Sequence, residues 1–296
     1  MQEQQEKPGT NMAFMDPSIQ TWNGARMRTL LLPREHGAWG ILLVPLATGA
    51  AVGAMAGGSV AAVLLFLTAA LGLFCLRTPV ESLLGASAMR AQKGAERQWV
   101  LLGAGIYGVI ALAALAALLR GGRNHGLLLI GAAAAAAFVL QALLRKIGRS
   151  TRTGSQIIGS LGLTSTAAGA YYVMTGSLDA RALGLWGANW LFSANQIEFV
   201  QLRIHAAKVS GVGQRLAHGW HALAGLGVTI VLLIGVFELG MLPKRAVLAY
   251  HPMMLRNLWW YFQKPSPVRV HRLGVRELIS NLIFGAILIL ALAAWR

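Results

Sequence analysis

Residues 98–119 read QWVLLGAGIYGVIALAALAALL, 22 residues without a charged side chain. At about 1.5 Å per residue, a helix of this length crosses the roughly 30 Å hydrocarbon core of a bilayer. The same ruler finds seven more stretches: 37–56, 59–76, 126–144, 156–176, 182–202, 219–242 and 276–295. A shorter candidate, 245–261, is interrupted by Pro252 and Arg256. A bilayer leaves backbone groups no water to bond, so spans of this kind must be helices that satisfy themselves. The expected fold is an all-α polytopic membrane helix bundle.

Composition agrees. The 296 residues are 56% hydrophobic and 12% charged, about half the charge of a soluble domain. A single cysteine, Cys75, excludes an intramolecular disulfide framework. The net charge of +16 would suit nucleic acid, but the bases lie between apolar runs, so no nucleic acid partner is expected. Residues 1–33 are polar and lack the apolar core of a cleavable signal, which gives a cytoplasmic tail followed by a transmembrane domain over 34–296.

Loop charge sets the orientation. With nine spans and the N-terminus inside, the inner segments carry 19 Lys and Arg residues and the outer ones six. That bias is the positive-inside pattern. With eight spans the basic 264–276 segment would fall outside. Nine spans, N-in and C-out, is therefore the expected topology.

Only ten acids occur, and Glu35, Glu81, Glu96, Glu198 and Glu277 all fall at inner helix ends. Arginine and lysine there can simply reach anionic lipid headgroups. Two features ask for more. Asn195, Glu198, Gln201 and His205 follow one another at i, i+3, i+6 and i+10, which predicts one polar helix face; it needs a cavity or hydrogen-bonding helices to be tolerated. The cluster Arg145, Lys146, Arg149 and Arg152 suits an anionic group, a phosphate or a phospholipid head equally. Arg77 and Glu81, at i and i+4, can pair. Glycines such as Gly49, Gly53, Gly57, Gly159 and Gly162 read as helix-packing positions. His218 and His221 share a face, but no matching pair or CxxCH accompanies them, so haem is not expected.

Residues 33–45, PREHGAWGILLVP, resemble the signature of the YwiC-like membrane proteins. The larger pattern resembles the UbiA superfamily of intramembrane prenyltransferases. Arg34, Gly37 and Pro45 match its first helix; residues 143–159 and 171–176 match its fourth-to-fifth connection; Asn195 to Glu198 match the polar end of its sixth helix. The resemblance implies a nine-helix, N-in bundle and transfer of a prenyl group from a prenyl diphosphate to a membrane acceptor, with Mg²⁺ bridging enzyme and diphosphate.

The chain departs from that pattern where the chemistry lies. The resembled enzymes carry two aspartate-rich motifs, and hard oxygen ligands are what Mg²⁺ requires. Here the corresponding positions read Arg77-Thr-Pro-Val-Glu81 and Asn195-Gln-Ile-Glu198, each with one carboxylate. Under the enzyme reading Glu81, Glu198 and Asn195 are the catalytic and metal-holding set, and Arg77, Arg145, Lys146, Arg149 and Arg203 bind the diphosphate. Aromatic residues of the fifth and sixth spans would line an isoprenoid slot. The alternative is a non-catalytic protein that binds a membrane lipid, isoprenoid or cofactor precursor on the same fold. A transporter ranks third, because the ionisable groups collect at one end instead of mid-membrane.

Overall fold

The computed structural model describes residues 24–33, 36–84, 94–120, 122, 124–207, 209, 211–263 and 269–293. The tail through Asn23, Arg34, Glu35, Arg90, Lys93, Lys208 and Lys264 therefore lie outside the described residues, as do the side chains of His36 and Arg149. Eleven α-helices run through the described residues, and no strand occurs among them. They are α1 (Gly24–Leu31), α2 (His36–Met55), α3 (Val60–Leu83), α4 (Ala95–Arg120), α5 (Asn124–Ile147), α6 (Arg152–Thr164), α7 (Thr166–Thr175), α8 (Ala180–His205), α9 (Val212–Glu238), α10 (His251–Trp260) and α11 (Val270–Ala293).

Six of these are long and apolar enough to cross a membrane: Gly37–Met55, Val60–Leu83, Ala95–Arg120, His125–Ile147, Val212–Glu238 and His271–Ala293. Each contains or overlaps a span expected from the sequence. Their outward faces are rows of exposed Leu, Ile and Val, as on α4 (Leu101, Leu102, Ile106, Val109) and α9 (Val228, Val231, Ile234). Apolar surface of that extent needs lipid or partners against it.

The remaining expected spans differ in kind. Residues 156–176 form two helices that meet at Ser165. No proline or glycine stands at the break. The hydroxyls of Ser155, Ser160, Thr164, Ser165 and Thr166 each donate to a carbonyl three or four residues earlier. Such back-bonding competes with the helix ladder and bends it. Thr166 also donates to the carbonyl of Leu42 at 2.9 Å, tying the break to α2 one turn from Pro45. Residues 244–250 are a 3₁₀ stretch leading into α10. The 26-residue α8 has the length of a span but carries Asn189, Asn195, Gln196, Glu198, Gln201 and Arg203.

α8 runs through the middle of the bundle. Asn189 donates to Thr48 of α2 at 3.0 Å, and the indoles of Trp186 and Trp190 donate to the α6 carbonyls of Leu161 and Ile157. Phe192 stacks on Phe284 of α11 at 3.9 Å. Tyr250, fully buried, lies edge-on to both rings and donates to the Ala188 carbonyl at 2.7 Å. α1 lies against the ends of α3 and α4, with Leu30 buried and Arg26 paired with Glu96.

α8 begins on a side-chain cap. Asp179 accepts from the backbone N–H groups of Arg181 and Ala182, both at 3.0 Å, and Tyr171 donates to its other oxygen. Asp179→Ala is expected to cost about 1 kcal/mol. Thermal unfolding in detergent checks it, and Asp179→Asn, which keeps the acceptor, should recover most of the loss.

Candidate functional site

Helix ends gather on one side of the bundle. The first two turns of α2 and α11, the last turns of α3, α5 and α8, and α6 along most of its length line a cavity of about 450 Å³. The volume falls in the range of small-molecule sites. Ala38, Ile41, Leu163, Ile197, Val200 and Leu273 supply apolar walls, and the polar groups stand between them.

Arg77 and Arg145 reach the cavity from α3 and α5. Both face Glu81: Arg77 Nε lies 2.8 Å and Arg145 Nη1 3.6 Å from the same carboxylate oxygen. The Arg77 guanidinium also sits over the Phe138 ring, 5.9 Å from its centre. Two fixed cations on one carboxylate leave a positive surplus at the cavity, and a guanidinium offers donors in a geometry suited to phosphate.

The opposite wall is amide. Gln201 of α8 donates to Gln156 of α6 at 2.9 Å. Gln196 donates to the Glu277 carbonyl and accepts from Asn281, both on α11. The Glu277 carboxylate receives Arg256 of α10 at 3.0 and 3.1 Å. Arg256 is thus the partner of a buried acid at the cavity wall, and through it α10 is fastened to α11.

The expected site residues divide. Arg77 and Arg145 line the cavity, with Glu81 as their shared partner. Lys146 is exposed at the end of α5. Arg203 lies over the Phe199 ring at 5.9 Å and is not part of the cavity wall. Asn195 donates to Thr229 of α9, and the Glu198 carboxylate lies against Gly225 of α9. Asn195 and Glu198 therefore face α9, and Gln201 faces α6. Steps of three fall short of the 3.6-residue turn, so the polar stripe winds around α8 from one neighbour to another.

Mg²⁺ asks for converging oxygen ligands, and this donor set does not supply them. Glu81 is engaged by two arginines, Glu198 and Asn195 turn to α9, and the Glu277 carboxylate is held by Arg256. No group of three His, Cys, Asp or Glu side chains arranged for a metal occurs among the described residues. Of the aromatic residues expected along an isoprenoid slot, Trp186 and Trp190 spend their indole N–H groups on α6.

Two roles escaped the sequence. Gln141, one turn before Arg145 on α5, enters the cavity; a lone amide in an otherwise apolar run was its signal. Arg215, in the first turn of α9, is 2% exposed and donates to the carbonyls of Trp260 and Gln263 at the end of α10. It caps a helix terminus.

Fold and site together define a polytopic, all-helical protein with six helices able to cross a membrane and a polar, arginine-bearing cavity at one bundle end. Residues 32–171 match the family described as YwiC-like protein. The matched region takes in α2 through most of α7, hence Arg77, Gln141, Arg145 and Gln156 of the cavity and Glu81, the partner of its arginines. No curated protein and no solved structure matches the chain.

Proposed function

We propose that this protein binds, within the membrane, an amphiphile with an anionic, phosphate-bearing head. The head occupies the cavity between Arg77, Arg145 and the amide wall, and the tail leaves along the apolar side toward the bilayer. The observation that carries this reading is the pair of arginines converging on one carboxylate at a cavity mouth. An entering phosphate takes Glu81's place on the two guanidiniums or shares them with it, and needs no metal to neutralise it.

The topology that accompanies this reading has nine spans with the N-terminus in the cytoplasm of a bacterial cell. α6 and α7 together, α8, and residues 244–260 supply the three beyond the six apolar helices. Helix order and the loop-charge bias support it, as does the gathering of polar groups at one end. A UbiA-like arrangement belongs to the same proposal.

A second reading is prenyl transfer, favoured by the place of Arg77 and Glu81 at the end of the second span and of Arg145 at the end of the fourth. There the arginines would stabilise charge on a departing diphosphate.

One binding experiment separates the two. Purified protein is titrated with geranylgeranyl diphosphate and with a phosphatidic acid, with and without EDTA. Binding that survives the chelator and falls about tenfold, or about 1.4 kcal/mol, in both Arg77→Leu and Arg145→Leu is the expected result. Affinity unchanged in both variants overturns it. A Mg²⁺-dependent prenylated product on addition of an aromatic acceptor establishes the second reading instead.

A further inference from the structure

Of the amides at the cavity, those of Gln156, Gln196 and Gln201 have partners in the protein, as described above. Gln141 is different. The residue is 93% buried, its side chain lines the cavity, and it makes no side-chain hydrogen bond to any described residue. None of its polar atoms is sealed away from accessible space either, so the amide opens into the cavity. Burying an amide without a partner costs free energy that a ligand can return.

The position is built. Gly159 of α6 lies directly beneath the Gln141 amide, and a Cβ there would collide with its carbon, nitrogen and oxygen. Glycine at 159 is what lets the side chain pass between α5 and α6. Gln141 is also one turn from Arg145 on the same face of α5, about 6 Å along the axis. Arg145 is exposed at the mouth and Gln141 is buried, so the amide lies on the tail side of the anion-binding arginines.

Resting on the proposed anion-binding role, we infer that Gln141 recognises a hydroxyl lying between the anionic head and the tail of a single-chain amphiphile. A carboxamide presents a donor and an acceptor together, and a hydroxyl can answer both. A monoacyl glycerol phosphate has this order of groups: phosphate, hydroxyl-bearing carbon, acyl chain. A cavity of about 450 Å³ takes such a head and the start of one chain.

The test uses three probes on the full chain in detergent: 1-oleoyl glycerol 3-phosphate, its 2-deoxy analogue, and free glycerol 3-phosphate as the tail-less source of the same chemistry. The wild-type protein is expected to prefer the hydroxylated lipid to the deoxy lipid about fivefold, the effect of one neutral hydrogen bond. In Gln141→Leu that ratio falls to about one. Gly159→Val, which displaces the amide without altering it, also brings the ratio to about one. Each ratio is internal to one preparation, so it does not depend on how well a variant expresses. A wild-type ratio of one, or a fivefold ratio kept in Gln141→Leu, overturns the inference while leaving anion binding intact. Failure of both lipids to bind removes the anion-binding reading as well. Free glycerol phosphate competing as well as the lipid overturns the single-chain assignment, and competition only at far higher concentration supports it.

Discussion

Arg256→Met is expected to lower stability by about 3–5 kcal/mol, the range for removing one partner of a buried ion pair. The guanidinium meets both oxygens of Glu277, and Asn257 Oδ1 accepts from its Nε and Nη2 at 3.3 and 3.2 Å. Its face lies over Phe199, 4.7 Å from the ring centre. The Glu277 side chain is only 7% exposed, so loss of the arginine strands a carboxylate in the bundle. Replacing both members by apolar groups of similar size removes the stranded charge along with the pair. Arg256→Met combined with Glu277→Met should therefore recover much of the single variant's loss. Thermal unfolding in detergent, followed by size exclusion, reads both. A single variant that melts with the wild type, or a double variant that melts below the single, would falsify the stranded-charge account.

That pair also shows what the sequence could carry. Arg256 is an interruption in the apolar run 245–261, and Glu277 is one of five acids at helix ends; each is visible alone. Their pairing depends on how a 3₁₀ stretch and a ten-residue helix dock against α11, which no periodicity encodes. The six strongly apolar helices were legible because bilayer thickness and backbone hydrogen bonding leave few alternatives. Ser165 was not, since the break comes from hydroxyls choosing carbonyls, a choice also open to an unbroken helix.

The candidate site was half legible. Arg77, Glu81 and Arg145 stand where the charge clusters at two helix ends predicted, and they meet because α3 and α5 bring those ends to one cavity. The α8 stripe was read as one face, and its three-residue steps instead carry it from α9 toward α6. Gln141 went unread because one amide inside a long alanine-rich helix is as compatible with helix packing as with a ligand. Only the accounting of partners distinguishes it: each neighbouring amide has a hydrogen-bond partner, and this one has none among the described residues.

Gly49→Ala should separate α2 from α7 and cost more than the roughly 1–3 kcal/mol usual for an overfilled core. A Cβ on Gly49 would lie against the carbonyl carbon and oxygen of Ala167, which is itself fully buried. A side chain can turn aside, but here the obstacle is the backbone of a packed helix. The other glycines of the same ladder separate the causes. At Gly53 the nearest atom is Met174 Cβ at 2.9 Å, a smaller overlap than that with the Ala167 carbonyl at Gly49, so alanine there should be tolerated better. At Gly57 there is space, but φ is +80°, so the penalty of alanine is conformational. Gly108 on α4 has nothing within 4 Å of its would-be Cβ, and alanine is the better helix former by about 1 kcal/mol. Melting temperatures should therefore rank Gly108→Ala at or above the wild type, then Gly53→Ala, with Gly49→Ala lowest. If Gly49→Ala melts with Gly108→Ala, the close approach of α2 to α7 is not what holds these helices together.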